Sequence, residues 1–342
     1  MDDHTSVKVV ILNWNGYQDT VECVSSLKED GVEESAVVLV DNGSDNGEGS
    51  RLKELFPDIQ LIQNKFNRGF SGGNNDGITR AIKNGAEYVI LLNNDCIVEK
   101  GWFSGLVNAI SSTSSDFAAS RIMFYPDKET ICTDEDVIFP DGSGIAVNRY
   151  KRFSHGEGLR PIISACAASA IYSVKALEEA KIAEGQYFDE MYFAYNEDID
   201  LAMRLSAKRC RGVTVPDAVV YHKHSMTSGK YSFFKMFHSE KNRIMNEMLN
   251  FPAYFFFAGE MFFLVKTFWA VAGGIFGARG KAGRYAGETG VINVVWALIK
   301  ARLWVAANLP GILRDRRRRK ARGLVGKYIL KKLSWDINAF RK

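Results

Sequence analysis

The sequence lacks the cysteine spacing of a disulfide framework or of a zinc site. Its five cysteines are scattered over 342 residues, are odd in number and contain no Cys-x-x-Cys pair. Small disulfide-rich domains and structural zinc sites use closely spaced sets of cysteines. The pattern therefore excludes both kinds of site and indicates a reducing compartment.

The aromatic-rich C-terminal region also lacks a long uncharged apolar run of the kind that spans a membrane. In the aromatic-rich region that begins near residue 231, the longest uncharged stretch is 267–278, well short of the roughly 20 residues that span a bilayer. The first ten residues are acidic and lack a basic region and an apolar core, so no signal peptide is expected. The net charge of +4 is too small to imply a nucleic-acid partner.

What is present over the first 110 residues is an alternation of two hydrophobic periods. Short apolar runs, typical of strands buried on both faces of a parallel sheet, occupy 7–12, 36–41, 59–63 and 88–92. Helical patterns occupy 20–29, 77–85 and 101–110, and further along the chain a helix is expected over 195–210, with strands over 117–124, 162–173 and 212–225. The alternation predicts an α/β fold with a Rossmann-like, mostly parallel central sheet.

Polar clusters follow three of the predicted strands: Asn13 and Asn15, then Asp41, then Asn93 to Asp95. In parallel sheets, ligands bind beyond the carboxyl ends of the strands. A carboxylate such as Asp41 can accept a hydrogen bond from a base or a ribose there, or it can simply close an Asx turn. The same two interpretations, ligand site or turn, apply to the cluster that ends at Asp95.

Two further clusters carry possible chemistry. The segment 64–78 contains Gly72 and Gly73 and opens a helix, which suits phosphate binding, although it lacks a P-loop Gly-Lys-Ser/Thr and a GxGxxG pattern. A glycine turn explains it equally. Glu197 and Asp198 begin a predicted helix, either as a general base or as acids that stabilise the helix dipole.

His222 and His224 stand two residues apart at a strand end. Residues with this spacing share one face of a strand, so the two imidazoles could share a ligand, or they could be a pair of surface histidines. Asp95 provides a hard anionic oxygen, which, together with diphosphate oxygens, suits Mg²⁺ or Mn²⁺.

The sequence predicts two domains, 1–230 and 231–342. The second is a helical extension with apolar helices and a basic run, RDRRRRKAR at 314–322. Such a combination favours attachment to an anionic membrane surface without crossing it. A solvated basic run and a nucleic-acid contact are the alternatives.

The order of the motifs resembles that of the family-2 glycosyltransferases with the GT-A fold, in particular the rhamnosyltransferase-like branch that builds bacterial surface polysaccharides. The likeness covers about residues 6–250. The motifs that carry it are DNGS at 41–44, NRGFSGGNN at 67–75, LLNND at 91–95, NEDIDLAMRL at 196–205 and VVYHKHS at 219–225.

The resemblance implies an inverting transfer from a nucleotide-diphosphate sugar, with these roles by position. Asp198 is the general base and Glu197 its supporting group, and Asp95 and His222 hold the divalent cation. The donor contacts are implied for Asn13, Asn15, Asp41, Asn67, Gly72, Gly73, Asn75, Asn93 and Asn94. Asn93 stands where the family's motif has its first carboxylate.

The resemblance favours dTDP-rhamnose as donor and leaves UDP-hexose or UDP-galactofuranose open. The expected acceptor is a glycan or a polyprenyl-linked glycan. The apolar C-terminal helices and the Arg run predict a peripheral position on the cytoplasmic face of the membrane, without a nucleic-acid partner. Two other functions are disfavoured by the sequence. A sugar nucleotidyltransferase would need a basic glycine-rich loop after the first strand, and NWNGYQDT at 13–20 has no basic residue. A non-catalytic membrane or nucleic-acid binder is disfavoured by the acidic residues of the expected cleft.

Overall fold

The computed structural model of the chain describes residues 6–154, 156–224, 232–275 and 290–336. Its strands are β1 Val7–Asn13, β2 Val37–Asp41, β3 Gln60–Gln63, β4 Tyr88–Asn93, β5 Cys96–Val98, β6 Phe117–Phe124, β7 Ile131–Thr133, β8 Asp136–Ile138, β9 Gly144–Ala146, β10 Arg160–Ile162, β11 Ser169–Ser173 and β12 Gly212–His222. Its α-helices are α1 Tyr17–Glu29, α2 Glu48–Leu55, α3 Gly69–Lys83, α4 Trp102–Thr113, α5 Val174–Ala180, α6 Glu197–Ala207, α7 Phe233–Asn250, α8 Phe256–Ile275, α9 Val291–Ala307 and α10 Leu309–Ala321.

A central sheet runs in the order β10-β12-β6-β11-β4-β1-β2-β3, with β5 on β12 and β7 on β6. The ladders from β3 to β4 and the β6–β12 ladder are parallel. Strand β11 lies antiparallel between β4 and β6, a pairing that hydrophobic runs do not reveal. The α/β fold is confirmed, and the sheet is mixed beyond its parallel half.

Helices cover both faces of this sheet. On one face, α1 and α4 bury Leu27 and Trp102 against alternate residues of β1, β2 and β4. On the other face, α3 and α6 bury Ile78 and Leu205 against the residues in between. Because each inner strand is covered on both sides, its residues are apolar in succession, and all five residues of β2 are buried.

Two glycines bring α3 unusually close to the sheet. A Cβ placed at Gly73 would lie 2.3 Å from Leu12 Cδ1, and one at Gly77 would lie 2.3 Å from Val10 Cγ1. The absence of side chains here sets the depth of α3 on β1 and fixes its first turn at the carboxyl edge of the sheet. The helix begins eight residues before the segment that its apolar pattern predicts.

The C-terminal helices pack against one another and against the sheet domain. Met245 and Leu249 of α7 form a buried cluster with Val305 of α9 and Ile312 of α10. The predicted boundary between the domains falls in 225–231, and part of the stretch 267–278 also lies outside the described residues. The predicted helical extension is confirmed.

Across the described residues, no single helix has the length and hydropathy to cross a bilayer. Helices α9 and α10 meet that criterion only when taken together, and they are bent by 68° at their junction.

Candidate active site

The parallel strands end at one edge of the sheet, and the predicted site residues lie there. In the register of the ladders Asn13 pairs with Asp41, Leu12 with Asn93, and Phe124 with His222. Strand β5 returns along this edge, so that Cys96 pairs with His222. Residues from four distant parts of the chain thus meet at the edge where α/β sheets bind ligands.

Asn13 is the buried centre of the first-strand loop. Its amide nitrogen donates to Glu48 Oε2 at 3.0 Å and to Ser44 Oγ at 3.1 Å. Its amide oxygen accepts from Thr20 Oγ1 at 2.8 Å. These bonds tie β1 to α1 and to the loop after β2, so the side chain fixes the walls of the site. Direct contact of Asn13 with a nucleotide stays a prediction.

Asp41 and Asn15 hold the loop that follows β2. The carboxylate of Asp41 is buried and accepts from the backbone N–H groups of Ser44 and Gly49, each at 3.2 Å. Asn15 has a left-handed backbone, with φ of 51°, and its side chain pairs with Asp45 through bonds of 2.8 and 3.2 Å. These hydrogen bonds are those of an Asx turn, which is one of the two interpretations of Asp41. The predicted contact of Asp41 with a base stays a prediction.

The glycine-rich loop is held by amides. The Asn42 amide nitrogen donates to Asn67 Oδ1 and to the Gly69 carbonyl, each at 3.0 Å. Asn75 is buried and spans to the segment before α6, donating to the Phe188 carbonyl at 2.8 Å and accepting from the Phe188 N–H at 2.8 Å. The loop is therefore rigid and attached to the chain that leads to Glu197.

Gly69 allows the glycine-rich loop to approach the backbone of Phe193 closely. Its φ is +70°, and a Cβ there would lie 2.4 Å from the carbonyl oxygen of Phe193. The same carbonyl accepts from the Ser71 N–H at 3.2 Å. Gly72 and Gly73 are buried in the first turns of α3, facing Arg68 and Leu12 respectively. Their predicted proximity to a diphosphate stays a prediction.

Asp95 and His222 form the candidate metal-binding pair. His222 Nε2 lies 3.0 Å from Asp95 Oδ1, and the Asp95 carbonyl accepts from the Lys223 N–H at 3.0 Å. Cys96 Sγ lies within 4.8 Å of both side-chain ligand atoms. Burial and the nearby Asp95 charge raise the pKa of the Cys96 thiol well above its usual value. Sulfur is in addition a soft ligand, whereas Mg²⁺ and Mn²⁺ prefer oxygen.

One carboxylate and one imidazole fit a divalent cation whose other ligands are phosphate oxygens and water. Mg²⁺ and similar hard ions are commonly held by one or two protein carboxylates together with substrate phosphates. Asn94 is used differently, since its amide donates to Thr20 Oγ1 at 3.0 Å and braces the turn. Asn93 donates its backbone N–H to the Ala168 carbonyl at 2.9 Å. The predicted metal ligands and donor contacts in this motif stay predictions.

His224 lies beside His222 with ring centroids 4.0 Å apart. Its Nε2 is 3.2 Å from Cys132 Sγ. Burial lowers the pKa of His224 to about 3, and the neighbouring His222 and Arg149 act in the same direction. The imidazole is therefore neutral at physiological pH. The two imidazoles are in contact at the sheet edge, with their planes inclined by 36°.

Glu197 and Asp198 begin α6 after a strained loop. Phe193, Tyr195 and Asn196 all have left-handed backbones, with φ between 61° and 70°, a conformation that costs energy for residues with side chains. The amide of Asn242 on α7 holds this loop by donating to the carbonyls of Ala194 at 2.8 Å and Tyr195 at 2.5 Å. Sequence reasoning missed Asn242, because no local pattern marks a buried amide on a helix 46 residues further on.

Asp198 lies next to the end of β4. Its Oδ2 accepts from the Ala167 N–H at 3.4 Å, and the following residue, Ala168, accepts from Asn93. Its Oδ1 accepts from the Ile199 N–H at 2.8 Å. Asp198 and the LLNND turn thus touch consecutive residues of one loop, which brings the predicted base to the predicted metal motif.

The two neighbouring acids differ in their surroundings. Burial and the charge of Asp198 hold the pKa of Glu197 well above its usual range, and Glu197 Oε2 has no hydrogen-bond partner within the part of the chain that the structure describes. Burial also raises the pKa of Asp198, but two backbone N–H groups stabilise its anion. Asp198 is half-buried, so it is the acid of the pair that a substrate can reach.

Two residues outside the predicted motifs complete this end of the site. Ligand atoms of Asp136 and Cys166 lie within 4.8 Å of each other and of an Asp198 oxygen. Asp136 comes from a short hairpin, β8–β9, and Cys166 from the loop before β11. Neither position has a sequence signal, because both reach Asp198 only through the tertiary fold.

The chain is similar in sequence to known glycosyltransferases. The family model described as Glycosyl transferase family 2 matches residues 8–180. The chain is 27% identical over 203 residues to the low-salt glycan biosynthesis hexosyltransferase Agl10 of Haloferax volcanii, which covers 58% of this chain and 61% of that protein. It is 25% identical over 219 residues to the N-acetylglucosaminyl-diphospho-decaprenol L-rhamnosyltransferase of Mycobacterium tuberculosis, covering 57% of this chain and 68% of that protein.

Among solved structures, the chain is similar in fold to GalNAc-T7, crystallised with UDP, GalNAc and Mn²⁺. The TM-score is 0.57 at 13% identity, and the match covers 91% of this chain and 58% of that chain. The predicted GT-A fold is confirmed by this likeness together with the family match. The chain spans about three fifths of the length of Agl10 and of GalNAc-T7.

Proposed function

Because the chain belongs to Glycosyl transferase family 2, we propose that it transfers a sugar, with inversion, from a nucleotide-diphosphate donor to a hydroxyl group of a glycan or lipid-linked glycan. The observation that carries the proposal is the meeting of two groups at one sheet edge. One is the Asp95–His222 pair, 3.0 Å apart. The other is Asp198, joined to the end of β4 through Ala167 and Ala168.

Asp198 acts as the general base in this proposal. Its carboxylate accepts the proton of the acceptor hydroxyl while that oxygen attacks C1 of the sugar, and the C1–O bond electrons leave with the diphosphate. The raised pKa of Asp198 makes the carboxylate a better proton acceptor near neutral pH. Glu197 is buried beside it, and its raised pKa favours the neutral form.

Asp95 and His222 hold the divalent cation, Mg²⁺ or Mn²⁺. When bound, such an ion neutralises negative charge on the diphosphate leaving group. The loop with Asn67, Gly72, Gly73 and Asn75 lies under the diphosphate and sugar, and the walls built by Asn13, Asn15 and Asp41 border the nucleoside. Asn93 and Asn94 shape the turn between these regions. GalNAc-T7, which is similar in fold, was crystallised with UDP and Mn²⁺, and this supports a nucleotide donor and a divalent cation for this chain.

The names of two relatives support a class of donor. One is a rhamnosyltransferase that acts on a decaprenol-diphosphate-linked sugar and another is a hexosyltransferase of glycan biosynthesis. These names support dTDP-rhamnose as the first donor to test, with UDP-sugars as the second, and a polyprenyl-linked glycan as the acceptor.

A lipid-linked acceptor is consistent with the surface of the C-terminal helices. Helix α8 exposes Phe257, Met261, Leu264 and Phe268 at the spacing of one helical stripe. Helix α9 exposes a second stripe, Ile292, Val295, Trp296, Ile299 and Leu303. The helices are neighbours, since the Arg302 guanidinium lies 5.2 Å from the Phe263 ring.

Exposed basic residues of α10 follow these stripes in the chain: Arg314, Arg317 and Arg318. Apolar side chains enter the lipid boundary, and cations attract its anionic headgroups. The proposed location is therefore the cytoplasmic face of a membrane, with the helices lying on its surface.

The experiment that tests the proposed function is a screen of nucleotide sugars against the full chain, with and without Mg²⁺ or Mn²⁺. Thermal stabilisation and slow donor hydrolysis are the measurements. We expect a metal-dependent response to one donor, and loss of that dependence in Asp95→Ala. Failure of every nucleotide sugar to bind would contradict the proposal.

A further inference from the structure

We infer that Arg149, which lies outside every sequence motif of the site, binds the β-phosphate of the donor. The inference rests on the proposed function and adds a binding residue to it. Its basis is the position of one cation beside the aromatic and histidine cluster that reaches the candidate metal pair.

The guanidinium of Arg149 is held in place by two stacked rings. Its central carbon lies 5.0 Å from the ring centre of Phe124 and 5.2 Å from that of Tyr150. The two rings stack with centres 5.4 Å apart and planes inclined by 9°. A planar cation fixed against aromatic rings loses little freedom when it binds a ligand.

The same aromatic cluster reaches the metal pair. Phe124 contacts His224 with ring centres 5.5 Å apart. The His224 and His222 ring centres are 4.0 Å apart, and His222 lies 3.0 Å from Asp95. Arg149 is therefore linked to the candidate metal pair through Phe124 and the two imidazoles.

An acidic neighbour, Asp136, links Arg149 to the candidate base. Arg149 interacts electrostatically with Asp136, whose carboxylate lies within 4.8 Å of the ligand atoms of Cys166 and Asp198. The leaving diphosphate must lie between the metal and the reacting carbon, and the acceptor hydroxyl must lie next to the base. A cation with neighbours in both groups is thus placed to meet the phosphate that carries the sugar.

The hydrogen-bonding capacity of Arg149 is only partly used. Its Nε is buried and has no partner among the residues that the structure describes. The fully buried arginines of this protein differ in this respect, since Arg121, Arg204 and Arg319 each form a salt bridge with an aspartate. For Arg149 the described residues provide no salt bridge. Guanidinium groups bind phosphate oxygens through paired N–H donors.

The need for such a cation follows from the composition of the metal motif. Asn93 stands where a second carboxylate would help to hold the metal ion. When the C1–O bond breaks, its electron pair moves to the β-phosphate oxygen, while the acceptor oxygen bonds to C1 and its proton passes to Asp198. A fixed guanidinium stabilises the negative charge that grows on the β-phosphate.

The test is calorimetric titration of the full chain with dTDP and UDP, and with dTMP and UMP, in the presence of Mg²⁺. We expect Arg149→Gln to weaken binding of the diphosphate by about 10- to 100-fold, the range for a hydrogen bond to a charged group. Binding of the monophosphate should not change, because it lacks the β-phosphate. Arg149→Lys, which keeps the charge without the planar fork, should give intermediate affinity.

Arg152→Gln is the matched control. It removes the same charge three residues away, where the side chain is 87% exposed and pairs with Glu129, and it should bind both nucleotides as the unaltered chain does. Equal losses for mono- and diphosphate, or no loss, in Arg149→Gln would overturn the inference. If the unaltered chain binds neither nucleoside diphosphate, the proposed function fails first, and the role of Arg149 fails with it.

Discussion

Glu197 and Asp198 are adjacent in the sequence and chemically distinct in the structure. Glu197 is buried with an unpartnered oxygen, and its pKa lies well above the usual range because of burial and the charge of Asp198. Asp198 is half-buried, and the N–H groups of Ile199 and Ala167 stabilise its anion. The local fold therefore assigns the proton-accepting role to one member of the pair.

This difference predicts opposite outcomes for two amide substitutions. Asp198→Asn should lower turnover by about 10²- to 10⁴-fold, the usual contribution of a general base, while donor affinity is retained. Glu197→Gln should leave turnover close to that of the unaltered enzyme, since glutamine imitates a neutral carboxyl group.

Steady-state kinetics of both variants, with calorimetric donor binding, provides the measurement. Wild-type turnover in Asp198→Asn would show that the base lies elsewhere. A loss in Glu197→Gln as large as that in Asp198→Asn would show that Glu197 is ionised and takes part in the chemistry.

At the scale of elements, α10 belongs to the core as well as to the surface. Arg319, in the middle of the basic run, is fully buried and donates to Asp189 at 2.5 Å and to Asp200 of α6. Burial alone would raise the pKa of Asp200, but the charges of Arg319 and Arg204 lower it to about 2. The helix that begins with the candidate base is thus tied to the C-terminal helix by a buried ion network.

Removal of one partner from such a network leaves buried charge uncompensated. Arg319→Ala should lower the free energy of unfolding by about 3–5 kcal/mol, measured by urea denaturation. Arg318→Ala, the exposed neighbour, should change it by less than about 0.5 kcal/mol. Equal effects of the two substitutions would contradict the structural role of Arg319 and support the view that the whole run is solvated.

At the scale of the whole molecule, the chain places two apolar stripes on its outside. Phe257 of α8 is 75% exposed and Ile292 of α9 is 84% exposed, whereas most apolar residues of α1 to α6 are packed against the sheet. Contiguous apolar surface of this kind marks an interaction site. Together with the exposed arginines of α10, it supports the proposed contact with an anionic membrane.

Flotation with liposomes tests this contact. The full chain should float with vesicles containing phosphatidylserine, and less so as salt increases, because the ionic part is screened. Phe257→Ser combined with Phe268→Ser should reduce flotation, while Leu55→Ser, an exposed leucine of α2, should not. Undiminished flotation of the double variant would contradict the role of α8.

The sequence alone determined the α/β core, the edge of the sheet where polar residues gather, and the helix that begins at Glu197. These features are local: an apolar run predicts a buried strand, and Asn, Asp and Gly after it predict a turn. The order of the motifs then identified the family, because each motif keeps its own place along the chain.

Only the tertiary structure decided which distant residues meet there. Asn242 holds the loop before the candidate base, Arg149 packs against Phe124 and Tyr150, and Arg319 is buried although the adjacent Arg318 and Lys320 are exposed. The sequence shows each of them as an ordinary polar residue on a helix or in a loop. Burial, charge pairing and hydrogen bonding across the fold depend on contacts between residues far apart in sequence, and no local pattern records them.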